Sequence, residues 1–135
     1  MAILAEQVYT IIKNELFDNN IKAYSDYIPD KTTYPFCMYE IVNTTSDPDW
    51  AFATDYELLT VRFNVYDNNV NPINAINLQV KIEGIFNRIK LDFVDETEGK
   101  YLMCNYKIND KIEYLQEDSF WLATVDYEFR GQRDI

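Results

Sequence analysis

The residues of this chain able to do chemistry are mostly carboxylates. "SDPDWAFATDYE" (46–57) gathers Asp47, Asp49, Asp55 and Glu57. A calcium loop needs oxygens at closer alternation and a glycine at its sharp turn, and this segment has neither beyond its first two acids. Turn chemistry is the plainer reading. Two carboxylates of a suitable pair would suffice for glycoside hydrolysis, but nothing in the sequence selects a pair from 23 Asp and Glu. There is no histidine, so imidazole is excluded as base or ligand. Cys37 and Cys104 lie far apart with no C-x-x-C spacing, which indicates neither zinc nor redox chemistry. Cys37 alternates within an apolar run and is expected to be a buried, inert thiol; Cys104 takes the same reading.

One turn has the position of a ligand site. In "VYDNNVNPINA" (65–75) the apolar period changes from two to about 3.6, so a strand runs into a helix. Phosphate-binding proteins place glycines there, to crowd N–H groups around the anion, and a lysine to meet its charge. This turn has no glycine and no lysine, carries Asp67, and loses one N–H at Pro72. Its residues instead suit a helix start, with Asn71 as N-cap and Pro72 in the first helical position.

The elements around these residues follow from periodicity. Leu4, Val8, Ile11, Ile12 and Leu16 make the apolar stripe of a helix over 2–18. "DNN" (18–20) ends it, because Asn tolerates a left-handed cap. An irregular strand is expected near 24–28. Pro35 suits the first position of a strand. From there Cys37, Tyr39 and Ile41 share one face, with Phe36, Met38, Glu40 and Val42 on the other. Both faces are apolar up to Glu40, which suggests cover on both sides.

"DYELLTVRFNVYD" (55–67) sets Leu59, Val61, Phe63 and Val65 against Thr60, Arg62, Asn64 and Tyr66, a strand with one core face. A second helix over about 72–90 buries Ala75, Leu78, Ile82, Ile85, Phe86 and Ile89. Ile73, Ile76 and Val80 widen its stripe, so it is expected to touch more than the sheet. Gly84, inside this helix, suggests a close approach. "YLMCNYKI" and "KIEYLQE" are expected to pair around Asn109 and Asp110. "SFWLATVDYEFRG" (119–131) alternates Trp121, Ala123, Val125, Tyr127 and Phe129 against Phe120, Leu122, Thr124, Asp126, Glu128 and Arg130. The expected fold is α+β, a single domain over 1–135 with a mostly antiparallel or mixed sheet and two main helices packed on it.

The bulk numbers narrow the function class. The net charge is −11, with 4 basic and 11 acidic residues in 1–70 and 8 and 12 in 71–135. The acid excess is spread out, and without a basic cluster such a surface repels DNA and anionic membranes. No apolar run reaches the roughly 18 residues of a membrane span, and no leader-like segment is evident, so a cytoplasmic origin with reduced thiols is expected. "NTT" (43–45) therefore carries no glycan meaning. Aromatics make up 16% of the chain, with 11 tyrosines; interfaces and strand propensity both account for that surplus.

The order of elements, carried by "YPFCMYEIV", "LLTVRFNVYDNN" running into "NPINAINLQVKIEGIF", and "WLATVDYEFRG", resembles the tail terminator and tail-completion proteins of long-tailed bacteriophages. Residues 91–118 match least. The resemblance implies a non-enzymatic virion protein at the tail–head junction, made in the bacterial host cytoplasm, with no cofactor and no metal. It implies a homo-oligomeric ring, commonly a hexamer, that caps the tail tube protein, meets the head connector or neck protein, and lets DNA pass through its lumen. Acidity would keep that DNA mobile. Candidate interface residues are Trp50 and Phe52, in an aromatic excursion, with Tyr66, Asn68 and Asn69. The alternative for Trp50 is a return to the sheet as core. A head-completion or neck adaptor is the nearest other role, and a small-molecule-binding or enzymatic α+β domain is the reading from another class.

Overall fold

A computed structural model describes residues 2–25, 33–45, 56–87, 93–95 and 99–134, with side chains described in 8–25, 33–42, 59–87 and 107–129. The elements in chain order are α1 (Ala2–Asp18), β1 (Ala23–Tyr24), β2 (Phe36–Thr45), β3 (Tyr56–Asp67), α2 (Ile73–Phe86), β4 (Phe93–Asp95), β5 (Gly99–Leu115) and β6 (Phe120–Asp134). The strands form one mixed sheet in the order β1-β2-β3-β6-β5-β4. Among these strands β1 and β2 run parallel, and every other pair is antiparallel. The fold is α+β, as the periodicity predicts.

Both helices lie on one face of the sheet. Val8, Ile12 and Leu16 of α1 and Ala75, Ile82, Ile85 and Phe86 of α2 share one core with the strand residues of that face. Those are Cys37 and Tyr39 of β2, Leu59, Val61, Phe63 and Val65 of β3, and Ala123, Val125, Tyr127 and Phe129 of β6. The alternation read from the sequence survives intact here, because a strand covered on one face must turn every second residue toward the cover. The Phe63 and Phe86 rings stack with centroids 5.0 Å apart, joining α2 to the middle of the sheet. Tyr9 meets Tyr39 of β2 at 5.9 Å and joins α1 to the sheet near its β1 edge.

The end of α1 follows its sequence. Asn20 takes a left-handed φ of 58°. The Ile21 N–H reaches the Leu16 carbonyl at 2.9 Å and the Asn20 N–H reaches Phe17 at 3.0 Å. These are the two bonds of a Schellman cap, and buried Ile21 supplies its apolar contact.

Several expectations need correction. The two segments expected to pair around Asn109 and Asp110 are one continuous strand, β5, with an irregularity between Lys107 and Asn109. Both halves of β5 pair with β6, so a bulge absorbs the break in alternation. The tight connection lies later, between Leu115 and Phe120, where Ser119 takes a φ of 56° and its N–H reaches the Leu115 carbonyl at 2.8 Å. Helix α2 starts at Ile73, with Pro72 in the N-cap place. Asn71 still accepts from the Ile73 N–H at 3.1 Å, so the capping bond forms one residue outside the helix. Residues 88–90, Trp50, Phe52 and the side chains of Leu4 and Cys104 lie outside the described residues. Gly84 is exposed, and a Cβ built there meets nothing within 4 Å, so close packing does not explain it.

Candidate functional site

Among the described residues no helix lies on the second face of the sheet. Phe36, Met38 and Glu40 of β2 point there, with Arg62, Asn64 and Tyr66 of β3 and Phe120, Leu122, Thr124, Asp126 and Glu128 of β6. Cover on both sides of β2, expected from its composition, does not extend along the strand: Phe36 is buried, Met38 is half-buried, and Glu40 and Val42 are exposed.

Side chains of this face cover one another. At one end an aromatic row crosses the strands. Tyr34 approaches Phe36 at 5.2 Å between centroids, and Tyr24 approaches it edge-on at 6.1 Å. Phe36 stacks on Tyr66 at 5.2 Å, and Tyr66 meets Phe120 edge-on at 5.2 Å. The cross-strand registers Phe36↔Tyr66 and Tyr66↔Leu122 bring these rings to one end of the sheet. Each such aromatic pair contributes about 0.5–1.5 kcal/mol beyond the area it buries. Half-burial pushes the Tyr66 phenol above its ordinary value, and the nearby Glu40 adds to the rise.

Toward the middle of the same face lie two polar pairs. The Thr124 hydroxyl donates to Asn64 Oδ1 at 2.9 Å. The Arg62 guanidinium donates twice to Asp126, Nε to Oδ1 at 2.9 Å and Nη2 to Oδ2 at 3.2 Å. The Asp126 side chain is 6% exposed and that of Arg62 41%. The hydrogen bonds to Asp126 raise the Arg62 pKa. The pair is a structural clamp: Arg62 and Asp126 are register partners on β3 and β6, and the two-pronged bond fixes that register.

Of the interface residues expected from the sequence, Tyr66 lies within the aromatic row. Asn68 and Asn69 are exposed in the β3–α2 turn, where the Asn69 side chain accepts from the Val70 N–H at 2.9 Å. The row itself was not anticipated from the sequence. Its signal was present as Phe36, Tyr66 and Phe120, all on faces opposite the core, but only the strand order β2-β3-β6 places them side by side.

The described residues place some of the groups able to do chemistry. Cys37 is fully buried, and burial drives its thiol far above the ordinary range. Among the same residues no three His, Cys, Asp or Glu are placed to hold a metal ion. A shallow cleft of about 340 Å³ between α1 and the β1–β2 edge is lined by Lys13, Asn14, Leu16, Phe17, Ile21, Ala23 and Tyr39. Among its described lining residues the one charged group is Lys13. Among the described residues no helix is long and apolar enough to cross a membrane. At the end of β3, Asp67 is 2% exposed, and its Oδ2 and the indole nitrogen of its register partner Trp121 have no hydrogen-bond partner among the described residues.

The fold and this surface thus define an α+β protein with one face of its sheet under two helices. No protein family matches the sequence, and no curated protein is significantly similar to it.

Proposed function

We propose that this chain is a structural virion protein that caps a phage tail tube as a ring, hexameric in line with the resemblance, and joins that tube to the head connector. The observation that supports this most is the face of the sheet on which no described helix lies, with an aromatic row at one end and a rigid polar clamp at its centre. Such a face offers large, stiff rings for protein contact at low entropic cost. A ring needs two different surfaces that meet head to tail. Under this reading the aromatic row, with Tyr66 at its middle, serves one of them, and the β3–α2 turn carrying Asn68 and Asn69 lies at its margin. The chain acts by shape: one side of the ring matches the last tube ring and stops growth, while the other meets the connector. The net charge of −11 keeps transiting DNA unbound.

The test is assembly with tail tube protein, followed by native mass measurement and negative-stain electron microscopy. Rings on tube ends, with shorter tubes than in the protein's absence, are expected. Tubes of unchanged length with bare ends overturn the proposal.

A further inference from the structure

The sheet ends in an apolar edge beside α2. Strand β4 pairs with β5 only from Gly99 to Tyr101. Beyond that point, among the described residues, no strand pairs with the outer edge of β5. Above this edge α2 leaves Ile73, Ile76 and Val80 exposed, Ile73 and Val80 at 57% each. Ile112 and Tyr114 of β5 are exposed as well. The α2 residues face the β5 side, since Gln79 and Glu83 of the same helix flank reach β5. Gln79 bonds the Lys111 carbonyl, and Glu83 lies 3.6 Å from the Lys107 ammonium.

The outward backbone groups of β5 can be assigned. Gln79 Nε2 donates to the Lys111 carbonyl at 3.3 Å and to the Thr124 carbonyl at 3.0 Å. Lys111 and Thr124 are register partners, and one nitrogen reaches both oxygens only if both lie between β5 and β6. The Leu115 carbonyl, accepting from Ser119 within the β5–β6 turn, has the same parity. Inward and outward groups alternate along an antiparallel strand. Asp110, Ile112 and Tyr114 therefore direct their N–H and C=O groups away from β6, to an edge that no described strand covers there.

We infer that a second copy of this chain docks on this edge, β5 against β5 in antiparallel register about a two-fold axis at Ile112. Charge selects that register. Lys111 and Glu113 are exposed neighbours on the other face of β5, 3.4 Å apart within one strand. With the axis at Ile112, Lys111 of each copy lies opposite Glu113 of the other, giving two cross-strand pairs of opposite sign. An axis at Asp110 would oppose Asp110 to itself, and an axis at Lys111 or Glu113 would oppose like charges. An axis at Tyr114 runs the pairing into the β5–β6 turn. Lysine on an edge strand ordinarily blocks strand addition; here the chain itself carries the acid that answers it. Ile112 then meets its own copy on the helix side, beneath the exposed Ile76 and Val80 of both α2 helices.

A two-fold contact closes on itself and cannot propagate around a ring. This pair is therefore a state of the free chain, separate from the ring proposed above, and its test needs no tail tube protein. The test is sedimentation equilibrium of the purified chain, of Lys111→Glu, of Glu113→Lys, and of the two variants mixed. The wild type should dimerise, and each variant alone should weaken the dimer about tenfold or more by opposing like charges. The equimolar mixture should regain a dimer holding one copy of each, because a strand with acids at both positions then lies opposite a strand with lysines at both. Circular dichroism of each variant should match the wild type. A wild-type chain that stays monomeric overturns the inference, as does a mixture no tighter than its components, or a dimer indifferent to both substitutions. Rings on tubes would stand or fall independently of these outcomes.

Discussion

Arg62 and Asp126 face each other across the β3–β6 pair, with both carboxylate oxygens held by one guanidinium at 2.9 and 3.2 Å. The aspartate is nearly buried while the arginine keeps one side in water. Removing Arg62 therefore leaves a desolvated acceptor behind, whereas removing both partners does not. Arg62→Ala should cost about 2 kcal/mol of stability in urea unfolding. The Arg62→Ala/Asp126→Ala double variant should cost less than the two single losses added together. Strict additivity would show that the pair is not a coupled clamp.

Gly84→Ala should stabilise the protein. The position is exposed within α2 and has open space where a methyl group would go, so alanine loses the helix penalty of glycine without a clash. The gain should be about 1 kcal/mol, read as a higher midpoint in thermal or urea unfolding. A loss of stability would mean that another surface of the assembled protein approaches Gly84.

Cys37 should be inert until the protein unfolds. Its thiol is fully buried on the core face of β2, and burial strongly favours the protonated form. In a Cys104→Ser background, a thiol reagent at neutral pH should label Cys37 only in denaturant. Rapid labelling of the native protein would contradict the burial.

Tyr127 makes the fold sensitive to alkali. Its ring lies in the core against Phe63 and Phe86, and its hydroxyl donates to Asn87 Oδ1 at 2.7 Å. Burial raises its pKa well above the ordinary value of 10.0, with Glu83 and Asp110 adding to the rise. Above that ordinary value the unfolded chain releases a proton that the folded chain retains, so the unfolded state binds fewer protons and stability falls as pH rises. Below it this group contributes no pH dependence. Tyr127→Phe should cost about 1 kcal/mol at neutral pH through the lost hydrogen bond. The same variant should lose less stability than the wild type between neutral pH and strongly alkaline pH. An unchanged alkaline slope would remove Tyr127 as its source.

Tyr66 separates assembly from folding. It is half-buried between Phe36 and Phe120, so Tyr66→Ala should lower stability by about 1–3 kcal/mol while the monomer still folds. Under the ring reading, assembly with tail tube protein should fail at temperatures where circular dichroism still reports a folded chain. Undisturbed ring formation would take Tyr66 out of the contact surface.

Local order decided most of the elements. The strict alternation of Leu59, Val61, Phe63 and Val65, and again of Ala123, Val125, Tyr127 and Phe129, determined two strands and their core faces, because a pleated strand covered on one side has no other way to bury them. The helical spacing of Val8, Ile12 and Leu16, and the asparagines that follow, determined α1 and its cap. Residue type alone excluded imidazole chemistry, through the missing histidine, and a phosphate cradle in the glycine-free turn at 66–72. Tertiary structure decided what depends on distant partners. Whether β5 is one strand or two depends on β6 running beside both halves, with the irregularity between Lys107 and Asn109 letting one strand continue. The meeting of Arg62 with Asp126, and of Phe36 with Tyr66 and Phe120, depends on a strand order that no local period encodes. The edge at Ile112, open among the described residues, belongs to the same class: alternation along β5 says which side chains share a face, but only the sheet says which backbone groups are left to pair.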